Sequence, residues 1–81
     1  MMTRKDFMNY KRYYEKGDKY LKRQAIEYFA ENLKPRIKLL KEYKKYSLTH
    51  PDDIVIKEVV KNLQEEVNYM ENVLMEKEIK P

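Results

Sequence analysis

The chain has 81 residues, of which 42% are hydrophobic and 40% charged, and its formal net charge at pH 7 is +4. Without cysteine it cannot form disulfides or thiolate zinc sites, and this composition favours a cytoplasmic protein. One glycine, three prolines and no long apolar run predict one all-α domain over residues 1–81, with neither a signal peptide nor a membrane span.

The first predicted element is a short helix over about residues 4–16. Thr3 and Asp6 have the three-residue spacing of a capping box, with Asp in place of the usual Glu. Three aromatic residues follow at helical spacing and predict one apolar face: Phe7, Tyr10 and Tyr14.

A sharp turn is predicted at Gly17 and Asp18. Gly17 is the only glycine of the chain, and it stands where many helices close with a residue in the left-handed conformation. Asp18 is a good N-cap for a following helix. The two residues therefore predict that the next helix begins at once.

The second predicted helix covers about residues 19–46 and contains Pro35. A proline inside a helix removes one backbone donor and disfavours helical angles in the preceding residue, at a cost of about 3 kcal/mol. The sequence leaves two alternatives, a break at Pro35 and one kinked helix. We favour the kinked helix, because apolar residues continue in phase from Leu33 to Ile37 and Leu40.

A third helix is predicted over about residues 51–78. Thr49 and Asp52 have the spacing of a second capping box, and Pro51 falls in the first turn, where its missing donor costs nothing. Asp52 and Asp53 also lie near the positive end of the helix dipole.

Apolar stripes on the two long helices predict that they pack lengthwise in a coiled-coil manner. Matched lengths and a short link favour an antiparallel helical hairpin, with the short N-terminal helix beside it. A second, patchier stripe on each helix favours completion of the bundle by a homodimer. The predicted seam residues are Ile26, Phe29, Leu33, Ile37, Leu40, Ile56, Val60, Leu63, Val67, Met70 and Leu74.

Charge is distributed unequally along the chain. Residues 1–47 contain 14 Lys and Arg against 6 Asp and Glu, whereas residues 48–81 contain 4 against 8. The two parts therefore attract each other and favour pairing of a basic with an acidic helix. Each exposed ion pair adds only about 0–1 kcal/mol, so such pairs set orientation more than stability.

Catalytic chemistry is not predicted. A single His and no Cys exclude Cys/His and multi-histidine metal sites, and one glycine cannot build a phosphate-binding loop. Ser47, His50 and Asp52 resemble a catalytic triad in residue type alone, and roles in a turn and a helix cap explain them better. A capped helix start also explains His50, Asp52 and Asp53 better than a metal site does. We therefore expect no enzyme, cofactor, metal or small-molecule substrate.

Segment 10–23 combines four Tyr with six Lys or Arg. Tyr is enriched at protein interfaces, and the predicted function is a small regulatory or accessory module that binds a partner protein and self-associates. The alternative is a nucleic-acid-binding accessory protein, since basic groups bind phosphates and Tyr rings stack on bases. Membrane attachment is not expected, because the segment lacks a Trp and Leu face. The candidate contact residues are Lys11, Arg12, Tyr13, Tyr20, Lys22 and Arg23.

Overall fold

The computed structural model describes the backbone of residues 3–79 and the side chains of residues 3–76. Within that part the chain forms three helices and no strand: α1 (Arg4–Lys16), α2 (Lys19–Thr49) and α3 (Ile54–Ile79). α2 and α3 pack against each other as an antiparallel hairpin, and α1 packs on α2. The described part is 44 Å long. The predicted all-α class, a hairpin with a short N-terminal helix, is confirmed.

α1 begins with the capping box that the sequence predicts. The Thr3 hydroxyl accepts a hydrogen bond from the Asp6 backbone N–H (3.1 Å), and the Asp6 carboxylate accepts one from the Thr3 N–H (3.2 Å). Two of the free N–H groups at the helix start are thus satisfied locally. Short-range hydrogen bonds alone fix this boundary.

The turn between α1 and α2 consists of Gly17 and Asp18. The prediction of a left-handed glycine is wrong, since Gly17 is extended with φ −79° and ψ 168°. It is needed for space, because a Cβ at this position would overlap the Tyr13 carbonyl oxygen and lie 2.7 Å from the Leu21 Cβ. Asp18 is the N-cap of α2, as predicted, and accepts a hydrogen bond from the Leu21 N–H (2.9 Å).

α2 passes through Pro35 without a break and ends at Thr49, three residues beyond the predicted end. Pro35 and Glu31 are both exposed, so water can bind the Glu31 carbonyl that loses its helical donor. Apolar packing continues on the opposite side of the helix, where Leu40 is 5% exposed. That packing offsets the cost of the proline.

α3 begins three residues later than the sequence predicts, and the predicted capping box at Thr49 is wrong. Thr49 still belongs to α2, which ends there because the residue before Pro51 disfavours helical angles. The N-cap of α3 is Asp53, whose carboxylate accepts a hydrogen bond from the Ile56 N–H (3.1 Å). Pro51 therefore lies in the link and not in the first turn of α3.

The core consists of two clusters along the hairpin. One lies between α1 and the hairpin and contains Phe7 of α1 with Ala25, Phe29, Met70 and Val73. The other lies nearer the link and contains Leu40, Leu63 and Val67. Among the predicted seam residues, those that are half-buried at the edges are Ile26, Leu33, Ile37, Ile56, Val60 and Leu74.

Candidate functional site

α1 lies in the groove between α2 and α3 and covers one half of it. Tyr10 stacks on Tyr28 of α2 with 3.9 Å between ring centroids. The ring of Phe7 packs edge-on against Tyr69 of α3, with 5.8 Å between ring centroids. It packs at a tilt against Phe29 of α2, with 6.0 Å between centroids. These contacts place α1 over the first half of α2 and the second half of α3.

An ionic cluster marks the point where α1 begins. It consists of one residue from each helix: the buried Arg36 and Glu66 and the exposed Arg4. Glu66 is 1% exposed, and its carboxylate accepts hydrogen bonds from Arg4 Nη1 (3.0 Å) and Arg36 Nε (3.0 Å). Arg36 Nη2 lies 2.9 Å from the same carboxylate. Burying a charge costs several kcal/mol in lost hydration, which only such pairing offsets. The cluster therefore fixes the start of α1 against both long helices.

Beyond this cluster, towards the link, the groove between α2 and α3 is open. A recess of about 280 Å³ beside Arg4 has Leu39, Tyr43 and Val59 in its wall. A second recess, of about 360 Å³, follows towards the link. We call this surface the open groove, and it is lined by Leu39, Glu42, Tyr43, Tyr46, Ile56, Val59, Asn62 and Leu63.

Exposed apolar residues extend the open groove to the end of the hairpin. Val55 is 71% exposed and precedes Val59 by one helical turn, so both lie on the same side of α3. Ile54, the residue before Val55, is 79% exposed. Leu48 is 83% exposed, but it follows Tyr43 by five residues and so lies about 140° away around the axis of α2, outside the open groove. A cluster of exposed apolar side chains on a small protein is typical of a surface that binds another protein.

The tyrosines of segment 10–23 serve mainly to hold α1. The ring of Tyr13 packs against that of Tyr10 at 5.4 Å, and the Tyr14 hydroxyl donates to the Glu76 carboxylate (3.2 Å). Tyr20 is 67% exposed. Of the predicted stacking platforms, Tyr20 is thus free to contact a base and Tyr13 is half-buried in a protein contact.

The basic candidates of this segment differ in their surroundings. Arg12, Lys22 and Arg23 are exposed, and Arg12 donates to the Asn9 side chain at 3.4 Å. Lys11 is half-buried, with its Nζ 5.2 Å from the centre of the Tyr69 ring. Binding of nucleic acid by this segment stays a prediction.

Two tyrosine hydroxyls tie α1 to the end of α3. Burial and the hydrogen bond to Glu15 (2.8 Å) raise the pKa of Tyr69 well above its usual value. Burial, and next the hydrogen bond to Glu76, also raises the pKa of Tyr14. Both hydroxyls therefore keep their protons at neutral pH and act as donors to the carboxylates.

Of the residues that resemble a catalytic triad, His50 contacts the end of its own helix. His50 Nδ1 lies 2.9 Å from the Thr49 hydroxyl and 3.1 Å from the Tyr46 carbonyl oxygen, and its ring stacks on that of Tyr46. Asp53 caps α3. Residues 3–76 contain no group of three or more side chains of the kind that holds a metal ion.

Sequence reasoning missed the buried charges, although their positions carried a signal. Glu66 comes three residues after Leu63 and four before Met70, which is the spacing of the apolar seam. Arg36 comes four residues before Leu40. A charged residue at the helical spacing of the apolar seam indicates either an exposed edge of the seam or a buried ion pair. In the structure Arg36 and Glu66 form a buried ion pair.

Comparisons of this chain with protein-family models, with curated proteins and with solved structures found no match. None of the three described helices has an apolar stretch long enough to span a lipid bilayer. The geometry of the chain itself is therefore the basis for proposing a function.

Proposed function

We propose that this protein is a non-catalytic helical interaction module that acts as a homodimer, with a second copy bound in the open groove. The observation that carries the proposal is that α1 covers one half of the groove and leaves Leu39 and Tyr43 of the other half accessible. Among the described residues no other segment covers this surface. A second copy supplies an identical apolar surface, as in other two-fold dimers.

The open groove begins where α1 begins, and this sets how two copies fit together. In a two-fold, face-to-face arrangement each open groove covers the other, and the link of one copy lies against the start of α1 in its partner. Asp52 in the link and Lys5 at the start of α1 are both exposed. This contact joins opposite charges twice per dimer, and such complementarity favours one orientation. The dimer is the form in which we expect the module to bind its partner proteins.

The test is the molar mass in solution at concentrations from about 5 to 500 µM, measured by light scattering after size exclusion. The monomer has a mass of 10.0 kDa, and we expect the wild type to approach twice this value. Leu39→Lys should shift the equilibrium to monomer, because dimerisation would bury its charge. Leu48→Lys is the matched control, since Leu48 is 83% exposed and does not line the open groove. A wild type that stays monomeric throughout, or equal dissociation of both variants, contradicts the proposal.

Charge exchange tests the orientation of the two copies. Asp52→Lys should weaken the dimer several-fold by placing a lysine near Lys5 of the partner copy. Adding Lys5→Glu to this variant should restore the wild-type dissociation constant. Without such rescue the link does not contact the start of α1, and the proposed arrangement is wrong. Asp53 is kept in both variants because it caps α3.

A further inference from the structure

The half of the hairpin with the open groove carries a dense set of lysines on its opposite side. On α2 they follow steps of four, three and four residues and so lie along one face, with Lys44 beside them. α3 contributes two more, four residues apart. All seven are exposed, and together we call them the lysine face: Lys34, Lys38, Lys41, Lys44, Lys45, Lys57 and Lys61.

Helical geometry places these lysines away from the open groove. Lys41 and Tyr43 are two residues apart, which separates them by about 160° around the axis of α2. Tyr43 lines the open groove, so Lys41 points to the other side. Lys57 and Val55 have the same separation on α3. The lysines of both helices therefore share the surface opposite the groove.

The carboxylates of this half of the hairpin form no ion pair with these lysines among the described side chains. Glu42 lines the open groove, and Asp53 caps α3. Glu58 is the acidic residue nearest to the lysine face along α3. Among the side chains of residues 3–76, however, ion pairs involve only Arg4 and Arg36 as cations, so each of the seven lysines remains without a carboxylate partner there. The positive charge is thus concentrated and unpaired.

We infer that the lysine face binds the phosphate backbone of a double-stranded nucleic acid. Lys34 to Lys45 extend over about 16 Å of α2, and packed helices lie about 8–10 Å apart, so the ammonium groups form two rows. Phosphates bind such rows with release of counterions. The face contains lysine but no arginine, which suits contact with the backbone and not bidentate reading of bases.

Two features of the face favour a duplex over other polyanions. Among the described residues, the aromatic rings nearest to it, Tyr43 and Tyr46, line the open groove. Binding of single strands normally uses stacking on such rings. An amphipathic helix that lies in a membrane surface inserts apolar side chains into the lipid, whereas Ile37 and Val60 beside the lysines pack within the hairpin. Purely electrostatic attraction to anionic lipid is an outcome that the test distinguishes.

The test is fluorescence anisotropy with a labelled 24-base-pair DNA duplex of mixed sequence at 50 and 200 mM salt. The wild type should bind with a logarithmic salt slope of about −4, as for four to five neutralised phosphates. Lys41→Glu/Lys57→Glu should weaken binding at least tenfold. Lys22→Glu/Arg23→Glu makes the same change in net charge within segment 10–23, and it should alter the affinity by less than about threefold, since distant charges are screened.

Several outcomes overturn the inference. They are an absence of duplex binding by the wild type, an equal loss in both double variants, and tighter binding to single-stranded DNA of the same length. Binding to vesicles of 70% phosphatidylcholine and 30% phosphatidylserine without binding to the duplex would identify a membrane surface instead. Circular dichroism and molar mass verify that the double variants keep the wild-type fold and assembly, so a failure here is distinct from a failure of the dimer.

Discussion

Glu66 and its chain neighbour Glu65 have very different surroundings. The Glu66 side chain is 2% exposed and contacts two arginines, whereas the Glu65 side chain is 57% exposed and lies 3.8 Å from Arg4. The two residues are chemically identical and adjacent, so a difference between the effects of substituting them comes from burial and from the ion pairs that each makes. They make a matched pair for experiment.

Glu66→Gln should lower the free energy of unfolding by about 3 kcal/mol. Arg36 is only 8% exposed, and the substitution would leave its guanidinium buried without a counter-charge. Glu65→Gln removes an exposed, longer contact and should cost less than about 1 kcal/mol. Urea unfolding followed by circular dichroism measures both values, and equal losses would show that burial is not the cause.

A second variant separates the charge from the packing. Arg36→Met/Glu66→Leu replaces both buried charges by apolar side chains, and it should be more stable than Glu66→Gln, because no buried charge remains unpaired and Arg4 is exposed. If the double variant has a lower free energy of unfolding than Glu66→Gln, the ionic cluster stabilises the fold by more than the removal of an unpaired buried charge.

Because of Tyr69, the free energy of unfolding should depend on pH in the alkaline range. Its folded-state pKa is raised above the ordinary value near 10, first by burial and then by Glu15, so the folded state keeps a proton that the unfolded chain releases. Its contribution is complete below about pH 10 and is lost as the pH rises further. We expect Tyr69→Phe to be less stable at pH 7 by about 1 kcal/mol but to lose less stability than wild type from pH 9 to 11.

Urea unfolding at pH 7, 9, 10 and 11 tests this, with Tyr20→Phe as the control because Tyr20 is 67% exposed. The alkaline loss of Tyr20→Phe should follow that of the wild type. Parallel curves for Tyr69→Phe and wild type would mean that other groups cause the alkaline loss.

Among the elements, the turn between α1 and α2 depends on space at Gly17. A Gly→Ala change at a compatible site stabilises a protein by about 0.4–1 kcal/mol, and the φ of −79° at Gly17 is compatible. The overlap with the Tyr13 carbonyl oxygen opposes this gain. We expect steric overlap to prevail, so that Gly17→Ala lowers the free energy of unfolding by about 1–3 kcal/mol. A stabilised variant in urea unfolding would contradict this.

The sequence predicted helix ends well where one nearby side chain decides them. Thr3 and Asp18 are caps whose hydrogen bonds reach only three residues along the chain. Before α3, three residues have side chains that can act as an N-cap: Thr49, Asp52 and Asp53. Which of them caps α3 depended on how far α2 continued towards Pro51. That extent is set by the packing of two helices, which a local pattern does not contain.

For the whole molecule, apolar spacing was sufficient to predict that α2 and α3 pair, since Leu40 and Leu63 share a buried cluster. It was not sufficient to predict the open groove, which extends from the start of α1 at Arg4 towards the link. The lysine face combines residues of α2 and α3 that are distant in sequence, so the charge of segment 10–23 stood out instead. Surfaces of this kind become evident only when the helices are assembled.

The order in which the helices pack has a consequence for folding speed. α1 packs chiefly on α2, and α2 on α3, so most contacts join neighbours along the chain. The turns between them are short, and closing short loops costs little entropy. Chains with such local topology fold within microseconds to milliseconds. The contact of Arg4 with Glu66 joins residues 62 positions apart, and it forms once both turns have closed.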